Sequence, residues 1–130
     1  MAKNTRSFSD IDLTFAVNPV TGDVSKRYDE NSVKQSIKCL VMTRNYERPF
    51  NSSIGSQVGM MLFDQITPMT APMIKRTIEN VINTFEPRAN LIDVSVTLAP
   101  DANSLYATIV FAIINSSTPI SMSLTLERTR

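Results

Sequence analysis

Glu86 and Arg88 flank Pro87, so an acid and a cation stand two residues apart on a stretch whose course the proline restricts. Residue types exclude most other chemistry. The chain has no His, which rules out Ser-His and Cys-His nucleophiles and imidazole metal ligation. None of its three glycines, Gly22, Gly55 and Gly59, lies in a phosphate-cradling GxGxxG or GxxxxGKS/T loop. Cys39 falls in a predicted helix with no activating neighbour and reads as a packed, inert thiol. Tryptophan is absent, which removes the usual sugar-stacking side chain. Carboxylate chemistry survives, and no cofactor or metal is implied. Two readings of the Glu86–Arg88 pair stand side by side. One is an ion pair that pins a corner; the other is a rigid acidic-basic pair presented to a partner. An exposed pair contributes only about 0–1 kcal/mol, whereas a partly buried one is costly to break.

The flanking elements set that corner. Ile74, Ile78, Val81, Ile82 and Phe85 recur at steps of three and four, one stripe of an α-helix. Lys75, Arg76, Glu79, Asn80 and Asn83 fall on the other face. Thr70 is a candidate cap and Pro72 suits the first turn. Pro87 disfavours helix at Glu86, so the helix is expected to end near Phe85. From Ile92 the period becomes two: Ile92, Val94, Val96 and Leu98 are predicted to face the core together.

Upstream, residues 1–30 read as an arm. Ile11, Leu13, Phe15 and Val17 alternate with polar or small residues, as in a short strand, before turn chemistry at Asn18-Pro19 and Thr21-Gly22-Asp23. Such a segment either closes the domain's own sheet or pairs with another chain. Ser32 and Gln35 form a capping-box pattern, which predicts a helix from about Ser32 to Thr43. The loop from Asn45 to Ser53 contains Arg48-Pro49-Phe50, with Phe50 expected to anchor it in the core. A short helix near Ser56 to Phe63 is expected to bury Val58, Met61, Leu62 and Phe63. Met60, Met61, Met69 and Met73 read as core filling.

Downstream, Pro100 to Asn103 and Asn115 to Pro119 are turns separating three strands. Leu105 to Ile114 is apolar on both faces, as in a middle strand. Ile120, Met122, Leu124 and Leu126 alternate with polar residues, which makes the last strand half-buried and the natural sheet edge. The fold class is therefore α+β: an N-terminal arm and two to three helices packed on a C-terminal three-stranded antiparallel meander. One domain over 1–130 is expected, with the arm at 1–30, a helical part at 31–90 and the meander at 91–127.

Composition narrows the class further. A formal charge of +1 with mixed signs along the chain offers no basic surface for nucleic acid. No apolar run reaches the roughly 20 residues that span a bilayer, and MAKNTRSFSDID carries no secretory signal. One cysteine cannot build an internal disulfide framework.

SDID at Ser9 to Asp12, RPF at Arg48 to Phe50, Phe63, Thr67-Pro68, and above all EPR at Glu86 to Arg88 occur in one order. In that arrangement the chain resembles the small baseplate wedge proteins of contractile-tailed bacteriophages, a family that includes a type VI secretion baseplate component. The likeness covers about residues 8 to 127. It implies assembly rather than catalysis: binding wedge subunits beside the tail tube and starting sheath polymerisation by edge-strand pairing. Implied partners are other baseplate wedge proteins, the tail sheath protein and tube-proximal baseplate proteins, with no nucleic acid and no direct membrane binding. The implied location is the tail baseplate of a virion, assembled in the bacterial host cytoplasm. Carried onto this sequence, the interface residues are Glu86, Pro87, Arg88, Arg48, Ile120, Met122, Leu124, Leu126 and Glu127. A secretion-system baseplate subunit is the alternative. Because relatives sometimes carry a lysozyme-like label, a second alternative makes Glu86 a general acid with Asp93 or Asp101 as second carboxylate. Arg88 beside Glu86 favours its ionised form, which is wrong for that role. A cytoplasmic adaptor of similar shape is the third class.

Overall fold

The computed structural model describes residues 8–99, 104–114 and 116–128. β1 (Ser9–Ile11) pairs antiparallel with β2 (Lys26–Tyr28), and α1 (Asp29–Met42) follows directly. A loop and the single-turn α2 (Val58–Met61) lead to α3 (Thr70–Phe85). The chain then forms the meander β3 (Ala89–Ala99), β4 (Ser104–Ile113) and β5 (Ile120–Glu127), in the order β3-β4-β5. The architecture is the expected α+β.

One core joins these parts. The stripe of α3 buries Ile74, Ile78, Val81 and Ile82, and α1 buries Val33, Ile37, Leu40 and Val41. Against them the sheet presents Val94, Leu105, Ala107, Ile109, Phe111, Leu124 and Leu126, all buried. Each isoleucine so buried stabilises the fold by roughly 1.5–3 kcal/mol. α3 ends at Phe85 as its proline signal requires, with the Glu86 N–H still donating to the Ile82 carbonyl at 2.9 Å. Thr70 is the first helical residue rather than the cap; its hydroxyl accepts from the Thr67 N–H at 2.9 Å and ties down the preceding turn.

Several expectations are corrected. α1 starts at Asp29, not Ser32, because Asp29 and Glu30 supply the acidic first turn that a helix N-terminus favours. The supposed capping pair is engaged by the arm: Ser32 Oγ donates to Asp10 Oδ2 at 2.7 Å, and Gln35 Nε2 donates to the Ile11 carbonyl at 2.9 Å. The arm itself folds back on its own return strand, with a further bridge at Val17–Val24. Its alternating apolar residues are exposed, Phe15 at 65% and Val17 at 69%.

Ile92 leaves the predicted inward row. A β-bulge lies between Leu91 and Asp93, so Ile92 is the extra residue and is 55% exposed. Leu91 and Val94 keep their inward places on either side of it. Phe50 does not anchor its loop: it is fully exposed, with φ +67°. Phe63, Met60, Met69 and Met73 are exposed as well, and Met61 alone of the four methionines packs against the core. They lie beside the buried positions Val58, Leu62, Thr70 and Ile74, off the inward stripe of α2 and of the first turn of α3. The turn at Pro100 to Asn103, Asp101 within it, and Asn115 lie outside the described residues.

Candidate functional site

The helix-to-strand corner is built by backbone bonds before any side chain acts. The Ala89 N–H donates to the Glu86 carbonyl at 3.3 Å, and the Ile114 N–H donates to the Arg88 carbonyl at 3.0 Å. Arg88 then turns back on Glu86 in a two-pronged pair: Nε to Oε1 at 2.7 Å and Nη2 to Oε2 at 3.0 Å. This fork geometry is the strong form of the arginine–carboxylate interaction. Glu86 is only 2% exposed. Burial raises its pKa, but hydrogen bonds from Arg88 and Ser36 and the Arg88 charge outweigh that and hold it below its ordinary 4.5. The Arg88 pKa is raised in turn, chiefly by its hydrogen bond to Glu86.

The remaining guanidinium edge reaches two distant segments. Nη1 lies 3.5 Å from Asp10 Oδ2 on the arm and 3.4 Å from Ser32 Oγ on α1. The Arg88 plane also lies 5.5 Å from the Phe8 ring centroid, a cation–π distance. Sequence reasoning found Glu86 and Arg88 but missed Phe8, Asp10, Ser32 and Ser36. Asp10 belongs to the SDID stretch, which was the one available signal; the two serines gave none.

This arrangement does not suit acid catalysis. Glu86 is ionised at neutral pH and enclosed by its partner. Asp93 is turned to solvent on β3, in an ion pair with Lys75 at 3.4 Å. Asp101 lies outside the described residues. Among the described residues no cluster of acids or Cys that would hold a metal is present, and no helix is long and apolar enough to cross a membrane.

The other singled-out residues lie elsewhere. Pro87 and Arg48 are exposed. Arg48 sits in the loop after α1 and makes no ion pair among the described residues. On β5, Leu124 and Leu126 are buried, Ile120 and Met122 are half-buried, and Glu127 is exposed. β5 pairs with β4 along its whole length, from Phe111–Ile120 to Ser104–Glu127. Its other side has no neighbouring strand among the described residues. Beside it opens a groove of about 570 Å³, walled by Leu13 of the arm, Lys34, Lys38 and Cys39 of α1, and Met122 and Leu124 of β5. At the far end of β5, Arg44 and Arg128 both stack on Phe63, at 5.6 and 5.7 Å from its centroid.

Residues 27–117 match the sequence profile of the family described as baseplate wedge protein gp25. Baseplate wedge protein gp25 of Enterobacteria phage T4 is 32% identical over 116 residues, 89% of this chain and 87% of that protein. Among solved structures, a Geobacter sulfurreducens protein with a provisional tail-lysozyme name superposes with TM-score 0.71 at 20% identity, covering 78% of this chain and 92% of that one. A chain of the anti-feeding prophage baseplate gives TM-score 0.64 at 24% identity, covering 95% of this chain and 87% of its own. At these identities the two structures establish a shared fold.

Proposed function

This chain belongs to the baseplate wedge protein gp25 family, and from that premise we propose that it starts sheath polymerisation by lending the outer side of β5 to a strand of the first sheath subunit. It is a structural protein of a contractile-tail baseplate, and it acts as one wedge domain. Other baseplate wedge subunits grip it at the Arg88 corner and along the arm that this corner holds. The observation carrying the proposal is β5 itself. An eight-residue strand whose inner row runs from half-buried Ile120 and Met122 to buried Leu124 and Leu126, and whose outer side is unpaired among the described residues, is a template for strand addition. The adjoining groove gives inward-pointing side chains of an incoming strand apolar ground to cover.

The test is Thr125→Pro, which removes a backbone donor from β5. With the variant's fold verified by circular dichroism, electron microscopy is expected to show tubes on finished baseplates without sheath. Normally sheathed tails in that variant would remove the strand-pairing role.

A further inference from the structure

Resting on the strand-pairing role of β5, we propose that the strand it receives runs antiparallel to it, bonds to the main chain of Ser121, Ser123, Thr125 and Glu127, and sets an alternating row of apolar side chains against Met122 and Leu124. The bonding side of each residue follows from one hydrogen bond. The Ile114 N–H donates to the Arg88 carbonyl, which extends the β3–β4 register that pairs Ala89 with Ile113. In an antiparallel ladder successive residues turn their N–H and C=O groups to opposite sides of the strand. Even-numbered residues of β4 therefore bond to β3 and odd-numbered ones to β5. The bulge puts its extra residue in β3 and leaves that alternation intact. Phe111, Ile109, Ala107 and Leu105 stand opposite Ile120, Met122, Leu124 and Leu126, so those four β5 residues commit their main-chain groups to β4. Ser121, Ser123, Thr125 and Glu127 turn theirs outward, where no strand lies among the described residues. All four are exposed.

The direction follows from the side chains. Opposite Met122 and Leu124, an antiparallel partner places its residues in non-hydrogen-bonded positions, where Cα atoms come to about 4.5 Å and side chains pack closest. Both existing pairs of this sheet are antiparallel, and a parallel pair is slightly weaker per residue. The partner's inner row lies over the groove of about 570 Å³, whose walls include Cys39 and Met42 as well as Met122 and Leu124. Met42 is 56% exposed. The groove's cations make no demand for an acid: Arg27 pairs with Asp12 and Lys34 with Glu30, and Lys38 is open to solvent. Apolar surface is what the inner row has to cover. The partner's other row joins a solvent face of hydroxyls, where Ser95, Thr108 and Ser123 stand in one register line and Thr97, Tyr106 and Thr125 in another.

A second copy of this chain is disfavoured by its own helix. Its β5 would offer the same outward residues, so its buried face would fall on the same side of the joined sheet. A second α1 would then be brought to the groove. A helix with its side chains is about 10 Å across, whereas neighbouring strands lie about 4.8 Å apart. The groove takes the side chains of a strand that carries no helix of its own at that point.

Photo-cross-linking residues placed singly at Ser121 and Glu127, activated in sheathed tails and mapped by mass spectrometry, test the direction. Both are expected to capture one segment of a sheath subunit with alternating apolar residues. The residue reached from Ser121 is expected to lie about six residues C-terminal to the one reached from Glu127. The reverse order, a segment without that alternation, or capture of a second copy would overturn the proposal. Residue-resolved amide exchange is the second measurement. The amides of Ser121, Ser123, Thr125 and Glu127 are expected to exchange freely in the isolated chain and at least tenfold more slowly in sheathed tails. Those of Met122, Leu124 and Leu126 are expected to stay slow in both. Outward amides already slow in the isolated chain, or unchanged on assembly, would also overturn it. The two readings fail separately: a reversed order leaves strand pairing standing, whereas normally sheathed Thr125→Pro tails remove strand pairing itself.

Discussion

At Arg88 one guanidinium satisfies a buried carboxylate, touches the hydroxyl of a helix serine, pairs with an arm aspartate and covers an aromatic ring. These contacts have unequal weight. The Asp10 side chain is 45% exposed, so water screens its share to about 1 kcal/mol or less. Glu86 is enclosed, and removing its partner leaves an unpaired buried charge. Arg88→Ala is therefore expected to cost about 3 kcal/mol, read as a shift of the urea midpoint at neutral pH. Arg88→Lys is expected to recover only part of that loss, since an ammonium cannot fork onto both oxygens. Acid supplies a further check. The folded-state pKa of Glu86 lies below its ordinary 4.5. Its contribution to stability is thus complete above about pH 4.5 and disappears as pH falls through the lower folded value. Glu86→Gln is expected to flatten that part of the stability profile, measured by urea titrations between pH 7 and 3.

Among the elements, β3 shows what local pattern carries and what it cannot. Its period of two is visible in the residues, and Val94, Val96 and Leu98 face inward as that period requires. The bulge at Ile92 depends on register against β4 and has no local signature. Deleting Ile92 would close the ladder while leaving Leu91 and Val94 on the core side. The shortened chain is expected to keep its fold by circular dichroism, but to self-associate in light scattering because its β3 edge becomes flatter. α3, the middle position of β4 and half-buried β5 were legible for the same reason as the inward row of β3: burial imposes a period on nearby residues. The second face of β4 is not buried as its apolar residues suggested, since Val110 and Ala112 are half-buried and Ile114 is exposed past the end of the strand. The corner was legible as a corner, since Pro87 ends the helix through local sterics. Its partners were not. Ser32 lies 56 residues from Arg88, and its capping pattern pointed to a local role that the arm took over. Phe50 misled for a related reason: an apolar side chain ordinarily goes inward, but here the loop backbone turns it out.

Across the whole molecule, the features singled out above collect at two ends. The Arg88 corner, the base of the arm and the start of β5 share one end, where Ala89 pairs with Ile113 and Phe111 with Ile120. The loop that carries Phe50 reaches the other through Arg44, which stacks on Phe63 beside Arg128 just past the end of β5. α1, with 14 residues, spans about 21 Å between them. Changes at the two ends should therefore be independent. The stability changes of Arg88→Ala and Phe50→Asn are expected to add within about 0.5 kcal/mol in the double variant, measured by urea unfolding. The two sides of the sheet differ in another way. β5 runs regularly along β4, whereas β3 is kinked at Ile92 and crossed near that point by the Lys75–Asp93 pair. Under the proposed strand-pairing role, only the regular side would be joined, which would give the subunit a valence of one. A unit of that kind would begin a row but not stand inside it. The length of the row would then be counted by something else, while this chain would determine only where it starts and which way it grows.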